Sequence, residues 1–329
     1  MVLFPLILKA LLALSMAAPL SLNRLFREQD SRRRLQNIAV GQASEWTCIV
    51  PYFNEAEVIK RCLSSLASQS CPPKVLLVDN GSTDNGRAVA ENFCTDSGVH
   101  FTSLTEPVPG KVAALAKGLA ATTTPFVATC DADTYYPNDY LARARTLLER
   151  PGVVASGAIL ITDRKAVLRG LWERFHWRAA SIAAPWQCHT GGAGQTFRTD
   201  VLREVGGFDP AIWNLVLEDH EVIARVGMAG RIAYDSALWC SPLVRQDRHT
   251  KVGWSLTERL RYHSTTRRSM PAYFESYLAP RLANRGQWNI KLRPSACQSD
   301  RGGQSFAQTI SDSLPRSVVQ SPSLPAKAA

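Results

Sequence analysis

The chain has 329 residues, of which 45% are hydrophobic, and a formal net charge of +10 at pH 7. This length and composition allow a full hydrophobic core and exclude an intrinsically disordered chain. The eight cysteines are scattered without any Cys-x-x-Cys pair, so the sequence indicates neither a zinc site nor a compact disulfide framework. Several of them lie within apolar runs, which is typical of buried thiols in a reducing cytosol.

The positive charge calls for an acidic partner, and its distribution indicates which kind. Five arginines fall between Arg24 and Arg34, directly after the apolar stretch from Val2 to Leu22. An apolar segment followed by a cationic flank predicts a cytoplasmic body under the positive-inside rule. The sequence has no aromatic-basic RNA motif, so we predict no nucleic-acid partner.

Residues 1–44 are predicted to form an apolar and basic segment that associates with the membrane. Pro5, Lys9 and Pro19 interrupt its apolar part, which lacks a preceding basic region and so makes a poor secretory signal peptide. A tilted anchor, an interfacial helix and an ordinary buried helix are all compatible with this stretch. The first two predict that the protein lies at the cytoplasmic face of the membrane.

From Trp46 onward, short apolar runs alternate with helical periodicity, which is typical of an α/β fold with a mainly parallel sheet. Asn54 and Asp84 are predicted to cap the first two helices, and Lys111 to begin the third. The predicted strands of this first half are residues 47–51, 75–78, 99–104 and 126–130.

The second half continues the alternation up to an irregular tail. A helix is predicted from Pro137 to the Pro151-Gly152 pair, followed by a strand at residues 153–163. The aromatic and basic stretch 164–186 is predicted to be a buried helix, with a lipid-facing surface as the alternative. The tail from Ala279 is rich in Ser, Pro, Gln and Arg and is predicted to be disordered or loosely attached.

Carboxylates follow two of the predicted strands. Asp79 ends the second strand, and Asp131 and Asp133 come directly after the fourth. In open α/β sheets ligands bind at the carboxyl ends of the strands, so these residues can converge although they are distant in the chain. Paired carboxylates can hold Mg²⁺ or Mn²⁺ against a diphosphate. An Asp-x-Asp tripeptide such as Asp131-Ala132-Asp133 also occurs as an ordinary turn or helix cap.

Other polar stretches have both functional and structural interpretations. The glycine-dense loop 191–194 either allows close approach of a ligand or makes a tight bend. Glu218 and Asp219 open a helix. Either they are there because the helix dipole stabilises carboxylates in the first turn, or one of them takes a proton from an attacking hydroxyl. His220 is interpreted as a structural hydrogen-bonding residue. The basic helix around Arg261 either contacts a diphosphate or is a solvated face.

In this order, the motifs resemble those of the family 2 glycosyltransferases, which have the GT-A fold and use nucleotide-activated sugars, generally with inversion at the anomeric carbon. The resemblance covers roughly residues 46–232. The matching residues are Val50-Pro51-Tyr52-Phe53-Asn54-Glu55, Val78-Asp79-Asn80-Gly81-Ser82-Thr83-Asp84, Gly110-Lys111, Asp131-Ala132-Asp133, the stretch from Gly191 through Gly207-Phe208-Asp209, and Glu218-Asp219.

The resemblance implies an α/β GT-A fold, with a Rossmann-like, mainly parallel sheet flanked by helices and preceded by an N-terminal apolar helix. Residues 45–136 would form the nucleotide-sugar-binding half, residues 137–278 the acceptor-binding half and residues 279–329 the tail. The implied donor is a nucleotide sugar, the acceptor a lipid or glycan, and the cofactor Mg²⁺ or Mn²⁺.

The resemblance also implies roles for individual residues. Asp133 would be the metal ligand and Asp219 the general base. Gly192, Glu218 and Arg261 would contact the acceptor or the leaving group. The implied nucleotide-binding residues are Pro51, Glu55, Asp79, Asn80, Lys111 and Asp131.

Two departures from the family pattern limit the resemblance. Asn80 stands where many relatives have Asp, so the base preference is not carried over. Glu258-x-x-Arg261-Tyr262 looks like a degenerate form of a Gln/Arg-x-x-Arg-Trp motif, which favours single addition over processive synthesis. A nucleotidyltransferase and a membrane-docked scaffold without turnover are the alternatives.

Overall fold

A mixed eight-stranded sheet forms the centre of the protein in the computed structural model, which describes residues 44–161, 167–243 and 254–289. The strand order across the sheet is β3-β2-β1-β4-β7-β6-β8-β5. The strands are β1 (Trp46–Tyr52), β2 (Lys74–Asp79), β3 (Phe101–Thr105), β4 (Phe126–Thr129), β5 (Thr134–Tyr135), β6 (Val153–Leu160), β7 (Gln195–Arg198) and β8 (Arg231–Pro242).

Helices cover both faces of this sheet. They are α1 (Ile59–Ala67), α2 (Gly86–Asp96), α3 (Lys111–Ala121), α4 (Tyr140–Leu148), α5 (Val167–Ala183), α6 (Thr199–Glu204), α7 (Glu218–Ala229), α8 (Leu256–Ser264), α9 (Met270–Ala272) and α10 (Ala279–Asn284). Tight 3-10 turns lie at Gly192–Gly194 and Arg267–Ser269, and a π-helical turn at Tyr273–Leu278 joins α9 to α10.

The sheet is parallel in its first half and mixed in its second. β1 pairs in parallel with β2 and β4, and β2 with β3. β7 lies antiparallel between β4 and β6, while β6 and β8 are parallel. Because β7 runs against β4, the start of β7 lies beside the end of β4. The glycine turn that precedes β7 therefore adjoins the Asp131-Ala132-Asp133 segment.

Strand alternation divides the core between the two faces of the sheet. Cys48 and Val50 of β1 pack with α1 and α4, whereas Ile49 packs on the other face with α3 and α7. Successive side chains of a strand point to opposite faces, so a fully apolar strand supplies two cores. This burial on both sides explains why the predicted strands read as continuous apolar runs.

Asn85, and not the predicted Asp84, is the N-cap residue of α2, and its side chain makes no capping hydrogen bond. Asp84 Oδ1 accepts a hydrogen bond from Gly86 N, the first residue of α2, at 2.9 Å. The prediction for Asn54 is wrong, since α1 begins five residues later at Ile59. Asn54 has a left-handed backbone with φ of 54°, and its Oδ1 accepts from Thr83 N at 2.8 Å. Asn54 thus ties together the ends of β1 and β2 instead of capping a helix.

Helix α5 is less buried than predicted. Phe175 and Ile182 are 65% and 68% exposed, and Trp177 is half-buried. The helix contacts the rest of the fold mainly along one side, where Trp177 packs against Tyr234 of β8 and Arg174 Nη1 donates to Ser236 O. Aromatic content alone predicted a buried helix, but single exposed apolar residues are common on protein surfaces.

The predicted loose tail from Ala279 is wrong for residues 279–289. Helix α10 buries Leu282, and Leu215 forms an isolated bridge with Trp288. Glu258 of α8, whose side chain is 2% exposed, accepts from both terminal nitrogens of Arg285 at 2.7 and 3.0 Å. These contacts fix residues 279–289 against the second half of the domain. Residues 290–329 lie outside the described residues.

The prediction for residues 1–43 also lies outside the described part of the chain. Among the helices that the structure describes, none is long and apolar enough to cross a membrane. Cys48, Cys62, Cys130 and Cys240 are buried thiols, and desolvation raises the pKa of Cys240. They lie in the core and not at a metal site.

Candidate active site

The carboxyl end of β4 and the start of α3 meet through one ion pair. Lys111 Nζ lies 2.6 Å from Asp131 Oδ1 and 3.9 Å from Glu218 Oε1 of α7. Burial by itself lowers the pKa of Lys111, but the charges of Asp131 and Glu218 outweigh it and raise the pKa above its ordinary value. Lys111 is therefore a fixed cation between Asp131 and Glu218, two acidic residues that are far apart in the sequence.

Asn80 holds the turn that delivers Lys111. Its Nδ2 donates to Glu106 O and Val108 O at 3.0 and 2.7 Å, and its Oδ1 accepts from Gly110 N at 2.9 Å. Gly110 has φ of 129°, a conformation that favours glycine. An Asp could not donate to the two carbonyls. The contact of Asn80 with a nucleoside base stays a prediction, and the structure adds that its amide holds this turn.

The other predicted nucleotide-binding residues lie at the ends of β1 and β2. Pro51 pairs with Val78 in the sheet, and the buried Asp79 accepts from Ser82 N at 2.8 Å. Glu55 follows β1, and its carbonyl oxygen accepts from Val58 N and Ile59 N. Pro51 and Glu55 thus lie at the end of β1, next to β4, and Asp79 lies at the end of β2, two strands away from β4.

The glycine turn packs directly against this cluster. Thr129 Oγ1 donates to Gly192 O at 2.5 Å. A Cβ at Gly192 would lie 3.0 Å from Lys111 Nζ, so a side chain there would crowd the lysine. Tyr136 OH accepts from Asp131 N and donates to Ala193 O, both at 3.0 Å. The turn is thus a fitted wall of the site, as close approach requires.

Asp133 is the second carboxylate after β4. Its Oδ1 accepts from Thr134 Oγ1 at 3.2 Å, and its carbonyl accepts from Leu243 N. In the described ranges, no group of three or more His, Cys, Asp or Glu side chains is arranged to hold a metal ion. Any metal here would be held by one or two carboxylates together with oxygens of a ligand.

Asp219 is held from three directions. Its Oδ1 accepts from His220 N and lies 2.9 Å from His220 Nδ1, and its carbonyl accepts from Gln195 Nε2 at 2.8 Å. Burial would raise the pKa of Asp219, but His220 and Lys111 outweigh burial and lower it. The carboxylate, 17% exposed, is therefore ionised at neutral pH and able to accept a proton.

Glu218 behaves differently from its neighbour. Burial raises the pKa of Glu218 to about 7; the charge of Lys111 opposes this rise, and that of Asp219 adds to it. Its folded pKa is thus above the value of about 4.3 in an unfolded chain. The folded state favours the protonated acid, so this stabilisation is complete below about pH 4 and is lost as the pH rises through 7.

We therefore expect Glu218→Gln to gain stability over the wild type as the pH is raised from about 5 to about 8. Between these two pH values the gain should be at most about 3 kcal/mol. Thermal unfolding of both proteins across this range measures it. Glu149→Gln, at a residue whose side chain is 52% exposed, is the matched control and should show no such trend. A stability difference between Glu218→Gln and wild type that is constant with pH would contradict the assignment.

Sequence reasoning missed two residues of this site, Gln195 and Asn289. His220 was interpreted as a structural hydrogen-bonding residue; it bonds the carboxylate of Asp219, and its ring packs 5.1 Å from that of Trp254. Gln195 directly follows the glycine turn, a position that could have drawn attention to it. Asn289 Oδ1 accepts from Val112 N and its Nδ2 donates to Glu218 Oε2 at 3.4 Å. Nothing in the sequence of the tail indicated that contact.

Arg261 was predicted to contact the acceptor or the leaving group. None of the contacts described above links it to Lys111, Asp131 or Asp219. Its guanidinium carbon lies 3.9 Å from the ring centroid of Tyr277, and Arg281 lies 3.8 Å from the same ring. The neighbouring Tyr262 does reach the site, since its ring lies 5.8 Å from that of His220. Arg261 therefore stabilises the packing of α8 on the C-terminal helices.

Comparison with known proteins supports the fold and the motif order. The family model described as glycosyl transferase family 2 matches residues 47–206. The chain is 29% identical over 191 residues to the uncharacterized glycosyltransferase YaiP of Escherichia coli, covering 53% of this chain and 48% of that protein. It is 30% identical over 148 residues to the uncharacterized glycosyltransferase Mb0553 of Mycobacterium bovis, covering 44% and 59% respectively.

A solved structure with a similar fold is the mannosyltransferase PcManGT from Pyrobaculum calidifontis in complex with GDP-Man and Mn²⁺. The TM-score is 0.57 at 22% sequence identity, and the match covers 82% of this chain and 79% of that one. The chain spans about half the length of the curated relatives described above. The chain thus contains a domain that matches glycosyl transferase family 2 over residues 47–206, on a fold similar to the GT-A fold of the mannosyltransferase.

Proposed function

We propose that the protein transfers a sugar from a nucleoside-diphosphate donor to an acceptor hydroxyl with inversion at the anomeric carbon. The observation that carries this proposal is the ionised carboxylate of Asp219 beside the Lys111–Asp131 pair. A base on one side of a donor and a charge-compensated diphosphate site on the other are what a single displacement requires. The curated relatives described as glycosyltransferases support the same reaction class.

The residues after β4 fit a divalent metal ion. Lys111 compensates the charge of Asp131, which leaves Asp133 as the better ligand. Mg²⁺ and Mn²⁺ sites in nucleotide enzymes commonly use one or two carboxylates plus substrate phosphates, so the small donor set is sufficient. Bound there, the ion would stabilise negative charge on the departing diphosphate. The Mn²⁺ and GDP-Man in the complex of PcManGT support this choice of ligands.

The remaining steps follow from the chain's own residues. The strand ends at Pro51, Glu55 and Asp79 would receive the nucleoside, and Lys111 would face its phosphates. Asp219 takes the proton of the acceptor hydroxyl, His220 keeps its carboxylate oriented, and Gln195 holds its backbone carbonyl. Gly192 lets the donor approach Lys111, because any larger residue would crowd the lysine.

Donor binding can be tested by measuring thermal stabilisation of the full chain with a panel of nucleotide sugars, with and without Mn²⁺ or Mg²⁺. A ligand that binds only the folded state raises the melting temperature. We expect at least one nucleotide sugar to stabilise the protein in a metal-dependent manner. Stabilisation by free nucleoside triphosphates alone would instead favour a nucleotidyltransferase.

We also propose that residues 1–44 hold the enzyme at the cytoplasmic face of the membrane, where a lipid or glycan acceptor would be met. The apolar stretch and the five following arginines support this location. Fractionation of cells expressing the full chain or a chain without residues 1–34 measures it. The full chain should sediment with membranes and the shortened one should not; equal distribution of the two would contradict the proposal.

A further inference from the structure

Tyr136 lies beneath the segment that carries the paired carboxylates. It directly follows β5 and is fully buried. Its ring packs against that of Tyr140, the first residue of α4, at 5.0 Å between centroids and with an edge-to-face orientation. Two tyrosine hydroxyls are thus buried in one pair of rings, and their surroundings differ.

The Tyr136 hydroxyl joins two walls of the candidate site. It accepts a hydrogen bond from Asp131 N and donates one to Ala193 O, both at 3.0 Å. Asp131 begins the segment that carries Asp133, whereas Ala193 lies in the glycine turn before β7. A phenol can donate and accept at the same time, so one hydroxyl holds both chains.

The backbone around Tyr136 is fixed by helix α1 and the turn that follows it. Tyr136 N donates to Ser65 Oγ at 3.1 Å, and Gln69 Nε2 donates to Pro137 O at 2.7 Å. Gln69 Oε1 accepts from Leu141 N at 3.1 Å. Ser65 and Gln69 are both buried, so these bonds are shielded from water. The hydroxyl therefore projects from a rigid base.

The paired strands stop short of the carboxylates. The register of β4 with β7 ends at the pair of Ala128 with Thr196, before Asp131 is reached. Thr129 Oγ1 extends the contact by donating to Gly192 O at 2.5 Å. Beyond that point the Tyr136 hydroxyl holds the two chains together, at Asp131 itself. This group thus sets the spacing between the carboxylate segment and the glycine turn.

We propose that Tyr136 is a positioning residue of the donor site, whose hydroxyl keeps the Asp131–Asp133 segment and the glycine turn in register. The inference rests on the proposed function and adds to it a residue that acts through the backbone of Asp131 and not on the substrate. Asp133 lies on one wall, and Lys111 packs against Gly192 on the other. A metal-bound diphosphate needs both, because its oxygens share the metal ion with the carboxylate while its charge faces the lysine.

Tyr136→Phe and Tyr140→Phe separate the hydroxyl from the ring. Each variant removes one oxygen from the same buried pair, and the Tyr140 hydroxyl has no hydrogen-bond partner among the described residues. Amide hydrogen exchange of the full chain without ligand measures the hold on Asp131. Loss of one hydrogen bond should speed exchange of the Asp131 amide about fivefold or more in Tyr136→Phe. Tyr140→Phe should exchange like the wild type, and equal exchange in the two variants would overturn the proposal.

A second measurement connects this hold to the metal ion and the nucleotide. Thermal stabilisation of each protein by UDP, GDP, CDP, ADP and dTDP is titrated with Mn²⁺. Groups that support a metal ligand typically contribute 10- to 100-fold to metal affinity, so the apparent Mn²⁺ affinity of Tyr136→Phe should fall at least about tenfold. Tyr140→Phe should titrate like the wild type. An unchanged Mn²⁺ titration in Tyr136→Phe would refute the positioning role even if its Asp131 amide exchanged faster.

Thr47→Val controls for a general loss of stability. Thr47 Oγ1 lies 2.7 Å from Thr124 Oγ1, and both residues are buried. Thr47 pairs with Lys74 at the start of β1 and β2, whereas the site lies at the carboxyl ends of the strands. The variant loses a buried hydrogen bond away from the carboxylates and should keep the wild-type Mn²⁺ titration. If it weakened Mn²⁺ binding as much as Tyr136→Phe does, the effect would be one of stability and the proposal would fail.

Failure of this inference can be told apart from failure of the proposed function. The exchange measurement needs no nucleotide, so it decides in every case whether Tyr136 holds the two chains. Metal-dependent stabilisation of the wild type that Tyr136→Phe retains in full would refute the positioning role alone. A wild-type protein that none of these diphosphates stabilises with Mn²⁺ would refute the proposed function, and with it the role of Tyr136 in a donor site.

Discussion

Replacing Asp219 with asparagine should lower sugar transfer by about 10²- to 10⁴-fold while the donor still binds. Asparagine keeps the shape of the side chain and retains an acceptor oxygen for His220, but it cannot take a proton from the acceptor hydroxyl. The lowered pKa of Asp219 means that the wild-type group is ready to act at neutral pH. Initial rates of nucleoside diphosphate release with acceptor present, together with donor thermal stabilisation, measure the two properties separately.

The matched control for this prediction is Asp200→Asn, at an exposed carboxylate in the first turn of α6. Its side chain bonds only to the neighbouring Val201 N among the contacts described. We expect its transfer rate to match that of the wild type. Transfer by Asp219→Asn at nearly the wild-type rate would remove Asp219 from the role of base, whatever the control shows.

Replacing Asp133 with asparagine should remove the metal-dependent part of donor binding. The amide lacks the negative charge that favours binding of a divalent ion, and the neighbouring Asp131 is already paired with Lys111. Changes to groups that only support a metal ligand typically cost 10- to 100-fold in affinity, so loss of the proposed ligand itself should cost at least about 100-fold. Donor stabilisation titrated with Mn²⁺ gives the apparent metal affinity directly.

Asp139→Asn serves as the control for the metal experiment. Asp139 pairs with Arg143 within α4 and its preceding turn, so the substitution removes a carboxylate outside the proposed site. It should leave the Mn²⁺ titration unchanged. If Asp133→Asn titrated like the wild type and Asp131→Asn did not, the metal ligand would be Asp131 and Lys111 would have to release it.

Much of the sheet could be predicted from the sequence because the signals are local. Strands β1, β2 and β4 are continuous apolar runs, and each is followed by polar residues that end it. Asp79 and the segment after β4 lie at the carboxyl ends of β2 and β4 in one sheet, the edge at which ligands are expected to bind. The start of α7 at Glu218 and that of α3 at Lys111 were both predicted correctly.

The errors arose where distant residues decide the outcome. Asn54 has the residue type of a helix cap, but hydrogen bonds from the loop after β2 hold it in a left-handed conformation. The exposed side of α5 depends on which neighbours reach it and not on its aromatic content. Residues 279–289 have weak periodicity, yet Arg285 and Leu282 find a buried carboxylate and an apolar cluster. Tertiary contacts overrode local composition in each case.

The site itself was predictable as a set of residue types but not as a network. Asp131, Lys111, Gly192 and Glu218 were all singled out, and the structure brings them into contact. The motif could not indicate that the Asn80 amide holds the turn before Lys111. Hydrogen-bond partners depend on atomic positions that a pattern of letters does not contain.

The central claim is tested most directly by identifying both products of one reaction. The full chain would be incubated with Mn²⁺, the nucleotide sugar that stabilises it and a methyl glycoside that binds it, and followed by ³¹P and ¹H NMR. We expect a nucleoside diphosphate and a new glycosidic bond to form in equal amounts, with the anomeric configuration opposite to that of the donor. Release of pyrophosphate, retention of configuration, or no turnover of a bound donor and acceptor would contradict the account.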